Sequence, residues 1–376
     1  MSAPRGPMLR SLFHRCWKVV RAWIPWLLVV ALLALLVKAI NPQALWASAG
    51  QIRWVYCLPI GVAFLLYLFL RAVRWHLLLQ PLRVPNSLLD SLLLFTGAQA
   101  ATLVPAGQFL LPVLQKSQHG TLIRRSAATV LVQELVFGLL LIPAALPGLP
   151  FYEQAGWFLL ASFLFSFVTG VALLQEQIAS AGLRLMRKIP LVRRFVPEFT
   201  ELRAHVVVVA HTSRAVWGSA LELASIAAMG TALYMALLAL GISVGWVGAL
   251  ATYAFGASVG MISTLPGGLG ANEDVSVFLL TRMGLAAGPA GVATLLFRAE
   301  TLLLGTLAGW GVLIIFRRRL RIHPSLRGLL EAIRRGETEL ETLQESPIPD
   351  EGPLDEPARE EELKHLEQQR DGRNTG

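Results

Sequence analysis

Six apolar runs govern what this chain can fold into: Ala22–Ile40, Trp54–Leu70, Ser126–Leu146, Ala155–Leu174, Trp217–Leu240 and Ala290–Phe316. Each is near the length of about 20 apolar residues that a helix needs to cross a bilayer. In lipid a backbone segment must satisfy its own polar groups, which a continuous helix does. With 55% hydrophobic and only 15% charged residues overall, the chain is too apolar for an ordinary soluble domain. The expected fold class is an all-α integral membrane protein.

The basic residues orient the runs. Residues 1–21, with Arg5, Arg10, Arg15, Lys18 and Arg21, form a basic cytoplasmic N-terminus ahead of an uncleaved first helix, with Trp23 and Trp26 at the interface. Arg71, Arg74 and Arg83 follow the second run and return the chain to the cytoplasm. Residues 175–214 hold seven Lys and Arg and form a cytoplasmic loop. If residues 87–120 crossed the membrane once, Lys116, Arg124, Arg125 and that loop would all fall outside. The conflict disappears if 87–120 enters and leaves on the cytoplasmic side and 247–288 does the same on the outer side. Six full spans and two re-entrant helical hairpins result; two short spans in place of either hairpin would leave the loops facing the same sides.

A break in the apolar pattern marks the second hairpin. Pro266-Gly267-Gly268-Leu269-Gly270 disfavours a regular helix, and irregular backbone at membrane depth survives only beside protein or water. Pro105-Ala106-Gly107-Gln108 occupies the matching place in the first half. Each break follows an apolar segment and precedes a long run carrying internal charge: Glu134 in the first half, Arg298 and Glu300 in the second. Two such elements entering from opposite faces form an inverted repeat of the kind found in transporters.

Asn272 is a natural N-cap, with Glu273 and Asp274 in the first turn, where acids gain about 0.3–1 kcal/mol each from the helix dipole. Alternatively, the N–H groups of Gly267–Gly270 meet a lipid phosphate while Glu273 meets a cationic headgroup or carries a coupling proton. A charge such as Arg298 inside a span calls for a partner, Glu273 first and Glu300 second. Glu134 and Glu300 are the remaining candidates for a proton relay or ion pair, whereas Glu222 reads as a snorkelling residue near the cytoplasmic end.

The motif Pro266-Gly267-Gly268-Leu269-Gly270 with Glu273 and Arg298 resembles the signature of the lysylphosphatidylglycerol synthase transmembrane-region family, over about Ala22 to Phe316. Pro105, Gly107 and Gln108 resemble its Pro-x-Gly-Glu element with Gln in place of Glu, and Gln133-Glu134 stands where a Glu-Arg pair is usual. That family includes the flippase half of the bacterial multiple peptide resistance factor. The resemblance implies a multi-pass protein of the bacterial inner membrane that contacts membrane lipids, with Pro266, Gly267, Gly268, Gly270, Glu273, Arg298, Pro105, Gly107 and Gln108 as substrate-binding candidates. It implies a flippase-like transporter of phospholipid or another polar-headed lipid. The alternative is a non-catalytic accessory protein for a lipid- or glycan-biosynthetic enzyme. The soluble transferase domain of full-length synthases is not expected after Phe316, which argues against lysine transfer.

Nothing in the sequence points to an enzyme. Cys16 and Cys57 form no ligand cluster, His205 and His211 no His-Glu-x-x-His pattern, and neither a P-loop nor a Gly-x-Ser-x-Gly elbow occurs. No cofactor or metal is expected. The basic residues flank apolar runs, so nucleic acid is not an expected partner. Basic and apolar residues interleave over Arg184–Arg203, a pattern that suits an anionic leaflet as well as topology alone. Residues 317–376 form an acidic cytoplasmic tail, with a surface helix over Leu326–Leu343 and a disordered, charge-rich remainder. The topology predicts that a cysteine at position 117 reacts with a membrane-impermeant maleimide only from the cytoplasmic side, whereas one within 241–246 reacts only from outside. Labelling at 117 from outside alone would rule out the first hairpin.

Overall fold

A computed structural model describes residues 42–103, 107, 110–119, 123–151, 155–188, 193, 196–263 and 265–320, all within one compact unit, Met1–Ile333. The expected first span and N-terminus, Pro105, Gln108 and the acidic tail lie outside these residues. The described residues form helices and turns only: α1 Pro42–Ala49, α2 Cys57–Leu79, α3 Leu88–Ala98, α4 Leu110–His119, α5 Ile123–Ala145, α6 Ala155–Leu174, α7 Glu176–Lys188, α8 Val196–Ala210, α9 Ser213–Ala239, α10 Gly245–Ser263, α11 Ala271–Arg282 and α12 Ala287–Ile315.

Five segments are long and apolar enough to cross a membrane: Trp54–Leu82, Arg125–Phe151, Ser213–Ala239, Gly245–Ser263 and Ala287–Ile315. A sixth arises if Leu159–Leu174 and Glu176–Lys188, bent by 92°, count together. Gly245–Ser263, expected as half of a re-entrant hairpin, has the length of a span by itself. The loop expected over 175–214 contains two helices, α7 and α8, and α8 buries Val206 and Val209.

Close contacts fix the helix directions. α2 and α9 are antiparallel, with Arg53 N–H donating to the Ala239 carbonyl (2.8 Å) at one end and Gly218 against Leu78 near the other. α5 and its extension run antiparallel to α10, since Gly138 faces Met261 and Gly148 faces Ala251. α2 and α12 are parallel, Gly61 beside Glu300 and Leu304, Gly305 beside Phe64. Glycine at these contacts lets helices approach where no hydrophobic force against lipid would draw them together. The apolar outer surface is that of lipid-facing helices: Val62, Leu65 and Phe69 on α2 and Leu303, Leu307 and Ile314 on α12 are all exposed.

Two helical hairpins fill the interior. In the first, α3 and α4 are antiparallel: Asp90 accepts a hydrogen bond from Gln118, Gly97 faces Leu114, and Gly107 sits so close to the Ala101 carbonyl that a Cβ would overlap it. In the second, α10 and α11 are antiparallel, Gly260 facing Gly268 and Asn272, and Gly248 facing Met283. Both pack along α12 from opposite ends. Asp90 pairs with Arg319 (2.9 Å) beyond the C-terminal end of α12, while α11 leads through a short turn into its N-terminal end. The two tips meet, Gly267 lying against the Thr102 carbonyl.

α12 approaches the first tip through Gly309, where a Cβ would overlap the Ala100 backbone. Backbone cannot swing aside as a flexible side chain can, so Gly309→Ala should cost about 1–3 kcal/mol of stability. Gly170→Ala, with open space around it, is the matched control. Thermal unfolding in detergent should show a lower midpoint for the first variant and none of that loss for the second.

Candidate functional site

α2 carries two arginines one turn apart, and both turn inward. Arg74 is 1% exposed and pairs with Glu222 of α9, itself 0% exposed; its other Nη donates to the Gln133 carbonyl on α5 (3.1 Å). Arg71 donates to Glu134 on α5 (3.1 Å) and to the Tyr67 hydroxyl (2.9 Å), with its Nε 3.5 Å from Glu222. The Arg71 guanidinium also lies 5.0 Å from the centre of the Phe137 ring and within 6 Å of Tyr67 and Phe95. Glu222 accepts a further hydrogen bond from Ser225 (3.3 Å). Two cations and two carboxylates thus tie α2, α5 and α9 into one neutral cluster, the arrangement that makes charge tolerable in a low-dielectric interior.

This corrects the sequence expectation. Arg71 and Arg74 do not end a span, because α2 continues to Leu79, and only Arg83 remains exposed as a boundary charge. Glu222 does not snorkel. The signal was available: Ala72, Val73, Trp75 and Leu77–Leu79 continue the apolar run, and arginines three apart share a helix face.

The second charge group lies at the other hairpin tip. Arg298 of α12 donates through Nε to Glu273 (2.5 Å) and through Nη2 to the Gly267 carbonyl. Glu273 is 1% exposed, and its second oxygen accepts the Gly270 N–H (2.6 Å), closing the start of α11. The expected N-cap, Asn272, lies instead inside the helix, facing Gly256 and Gly260 and accepting from Ser276 (3.2 Å). Gly270, at φ 83°, is the cap, a backbone geometry that suits glycine. The Gly268 N–H is bonded to the Leu265 carbonyl (2.9 Å). Two of the N–H groups expected to meet a phosphate are therefore already bonded within the tip, and Arg298 is the cationic group presented there. Glu300 points elsewhere, toward Cys57 and Gly61 of α2.

Both groups border one cavity of about 650 Å³. Arg71, Glu134 and Gln133 line it on one side of the chain's fold; Arg298, Gly267 and Gly268 line it from the second tip, with Thr102 and Gly107 from the first. Phe64, Tyr67, Phe95, Phe137 and Met229 supply apolar walls. Gln133 is 2% exposed, and its amide nitrogen has no hydrogen-bond partner among the described residues. Glu273 and Glu222 stand behind the arginines and do not border the space. Among the described residues no group of His, Cys, Asp and Glu could hold a metal ion.

The family model described as "Lysylphosphatidylglycerol synthase TM region" matches residues 22–309, most of the chain. This chain belongs to the lysylphosphatidylglycerol synthase transmembrane-region family. Comparison with curated proteins gives no match. As a member of that family with at least five membrane-length helices, it is a multi-pass membrane protein related to lipid modification or transport. Every charged residue that lines the cavity falls inside the stretch that matches the lysylphosphatidylglycerol synthase transmembrane-region model.

Removing one partner of a fully buried ion pair costs about 3–5 kcal/mol when the other charge is left uncompensated, and without Arg74 the carboxylate of Glu222 would keep only the charge of Arg71, 3.5 Å away. Arg74→Met should therefore be strongly destabilised in thermal unfolding. Combining it with Glu222→Gln should recover part of that loss, because the two groups form one neutral unit. Arg298→Ala should lose less, since Arg298 borders the cavity and Glu273 retains its bond to Gly270.

Proposed function

We propose that this protein is a flippase-like transporter that moves a phospholipid or another polar-headed lipid between the leaflets of a bacterial inner membrane, with both termini cytoplasmic. One observation carries the reading: a single cavity bordered by two guanidiniums and one carboxylate, at the point where two oppositely directed hairpin tips touch. A cavity of this size suits a headgroup, and most small-ligand pockets combine apolar walls with a few polar groups. Arg71 and Arg298 match a phosphate, and the free Gln133 amide adds a donor. Glu134 matches a cationic substituent on the same headgroup, so a zwitterionic or aminoacylated lipid fits the lining better than a bare phosphate.

The hairpins support the mechanism. They approach α12 from opposite ends and meet between its two termini, which is the disposition of re-entrant elements in an inverted repeat. Irregular backbone at such depth is tolerable because the tips are covered by protein and border a polar cavity. In this reading six spans and two re-entrant hairpins form the membrane body, and Gly107 with Gly267 and Gly268 allow the tips to touch. Gly270 of the second tip completes the substrate path, and the sequence candidates Pro105 and Gln108 lie outside the described residues. Nothing in this mechanism requires the protein to be an enzyme.

The test is transport of headgroup-labelled phospholipids by the purified full chain in liposomes, read by quenching of outer-leaflet probe. Losing one charged hydrogen bond to a headgroup, about 1.5–3 kcal/mol, should slow transport by about 10–100-fold in Arg71→Gln and Arg298→Ala. Both variants must elute as the wild type does. Transport no faster than in protein-free liposomes, for any headgroup, would remove the reading. If in addition deletion of 331–376 abolished function in cells while both arginine variants remained silent, the accessory role beside a lipid- or glycan-biosynthetic enzyme would replace it.

A further inference from the structure

The cavity does not use α7, and its surface is unusual for a helix next to a membrane span. The chain turns by 92° between Leu159–Leu174 and Glu176–Lys188, so if α6 crosses the bilayer, α7 lies along its surface. At about 100° per residue the sequence of α7 divides into three faces. Ala179, Leu183 and Met186 form the face turned to protein; Ala179 is buried, and α7 contacts α8. Ile178, Ala181 and Leu185 form a second, apolar face that has no cover among the described residues: Ile178 is 48% and Leu185 62% exposed. Arg187 and Ser180 lie on the third face, with Arg184 and Lys188 along the edge between that face and the apolar ridge.

On α6, too, apolar side chains are exposed, among them Phe165, Val168 and Leu174. The bend itself is pinned. Arg203 of α8 donates through Nε to the Leu173 carbonyl (2.9 Å), which the break leaves without a helical partner, and through Nη2 to Glu176 (3.1 Å). These bonds favour the observed direction of α7, and the exposed Glu176 pair leaves its depth open to the lipid. An apolar ridge with cations along one edge, presented parallel to a bilayer, is complementary to an anionic leaflet.

We propose that Glu176–Lys188 is an interfacial helix that binds the anionic cytoplasmic leaflet of the membrane the protein sits in. Ile178 and Leu185 enter the acyl boundary, and Arg184 and Lys188 meet lipid phosphates. Arg187 stays in water. The assignment is independent of what the cavity carries.

The test uses the full chain with Cys16 and Cys57 replaced by Ser, spin-labelled at Leu185→Cys or Arg187→Cys, in vesicles of equal parts phosphatidylglycerol and phosphatidylcholine. The label at 185 should collide several-fold more with oxygen than with a water-soluble nickel chelate, relative to the label at 187. In phosphatidylcholine alone, the 185 label should move toward water. Arg184→Gln with Lys188→Gln should abolish this lipid dependence, whereas Ser180→Gln should leave it intact. Equal nickel access at 185 and 187 in the anionic vesicles would overturn the proposal and leave the ridge to a protein partner. Depth at 185 that ignores both lipid charge and the double variant would overturn the anionic specificity.

Discussion

The interior of this protein depends on sharing charge. Arg71 stands between Glu134 and Glu222, and Glu222 between Arg71 and Arg74, so that each of the two central ions has two partners of opposite charge. In a low-dielectric bundle an unpaired guanidinium would cost several kcal/mol, and a lone pair would leave hydrogen-bonding positions unfilled. Spreading two positive and two negative charges over α2, α5 and α9 meets the first demand, while the Nε of each arginine is left without a hydrogen-bond partner among the described residues. The same three helices then build walls for the cavity, so the device that makes the charge tolerable also places Arg71 and Glu134 where a ligand would meet them.

The second half solves a related problem with backbone. The Pro266–Gly270 break exposes carbonyl and amide groups in the protein interior, and most of what the structure records of them is bonded locally: Gly268 N–H to Leu265, Gly270 N–H to Glu273, the Gly267 carbonyl to Arg298. Glu273 is thus an organiser of the tip, holding the start of α11 with one oxygen and Arg298 with the other. Arg298 is the group that faces the space. A carboxylate and an arginine that look equivalent in sequence have different tasks because one is behind the other.

Much of this was legible in the residues. Apolar runs of spanning length, the helix-breaking tip and the pairing of Glu273 with Arg298 all follow from composition, proline and glycine chemistry, and the cost of isolated charge. What misled was the assumption that arginine at the end of an apolar run marks a boundary. Arg71 and Arg74 obey the positive-inside pattern in sequence, yet α2 runs on to Leu79, and their partners are supplied by residues more than fifty positions away. Long-range pairing of this kind has no local signature. Asn272 misled for a different reason: it resembles an N-cap in any sequence, but the turn before it places Gly270 at the start of the helix and gives Asn272 to the α10 contact.

The elbow between α6 and α7 gives the protein a fixed ruler. With Arg203 holding both the freed carbonyl and the first residue of α7, a change in the angle between α6 and α7 would cost those bonds. α8, which supplies that arginine, packs in turn on α5, the helix that bears Glu134. If α7 rests on a membrane surface, the elbow, α8 and α5 form one chain of contacts between that surface and the cavity wall.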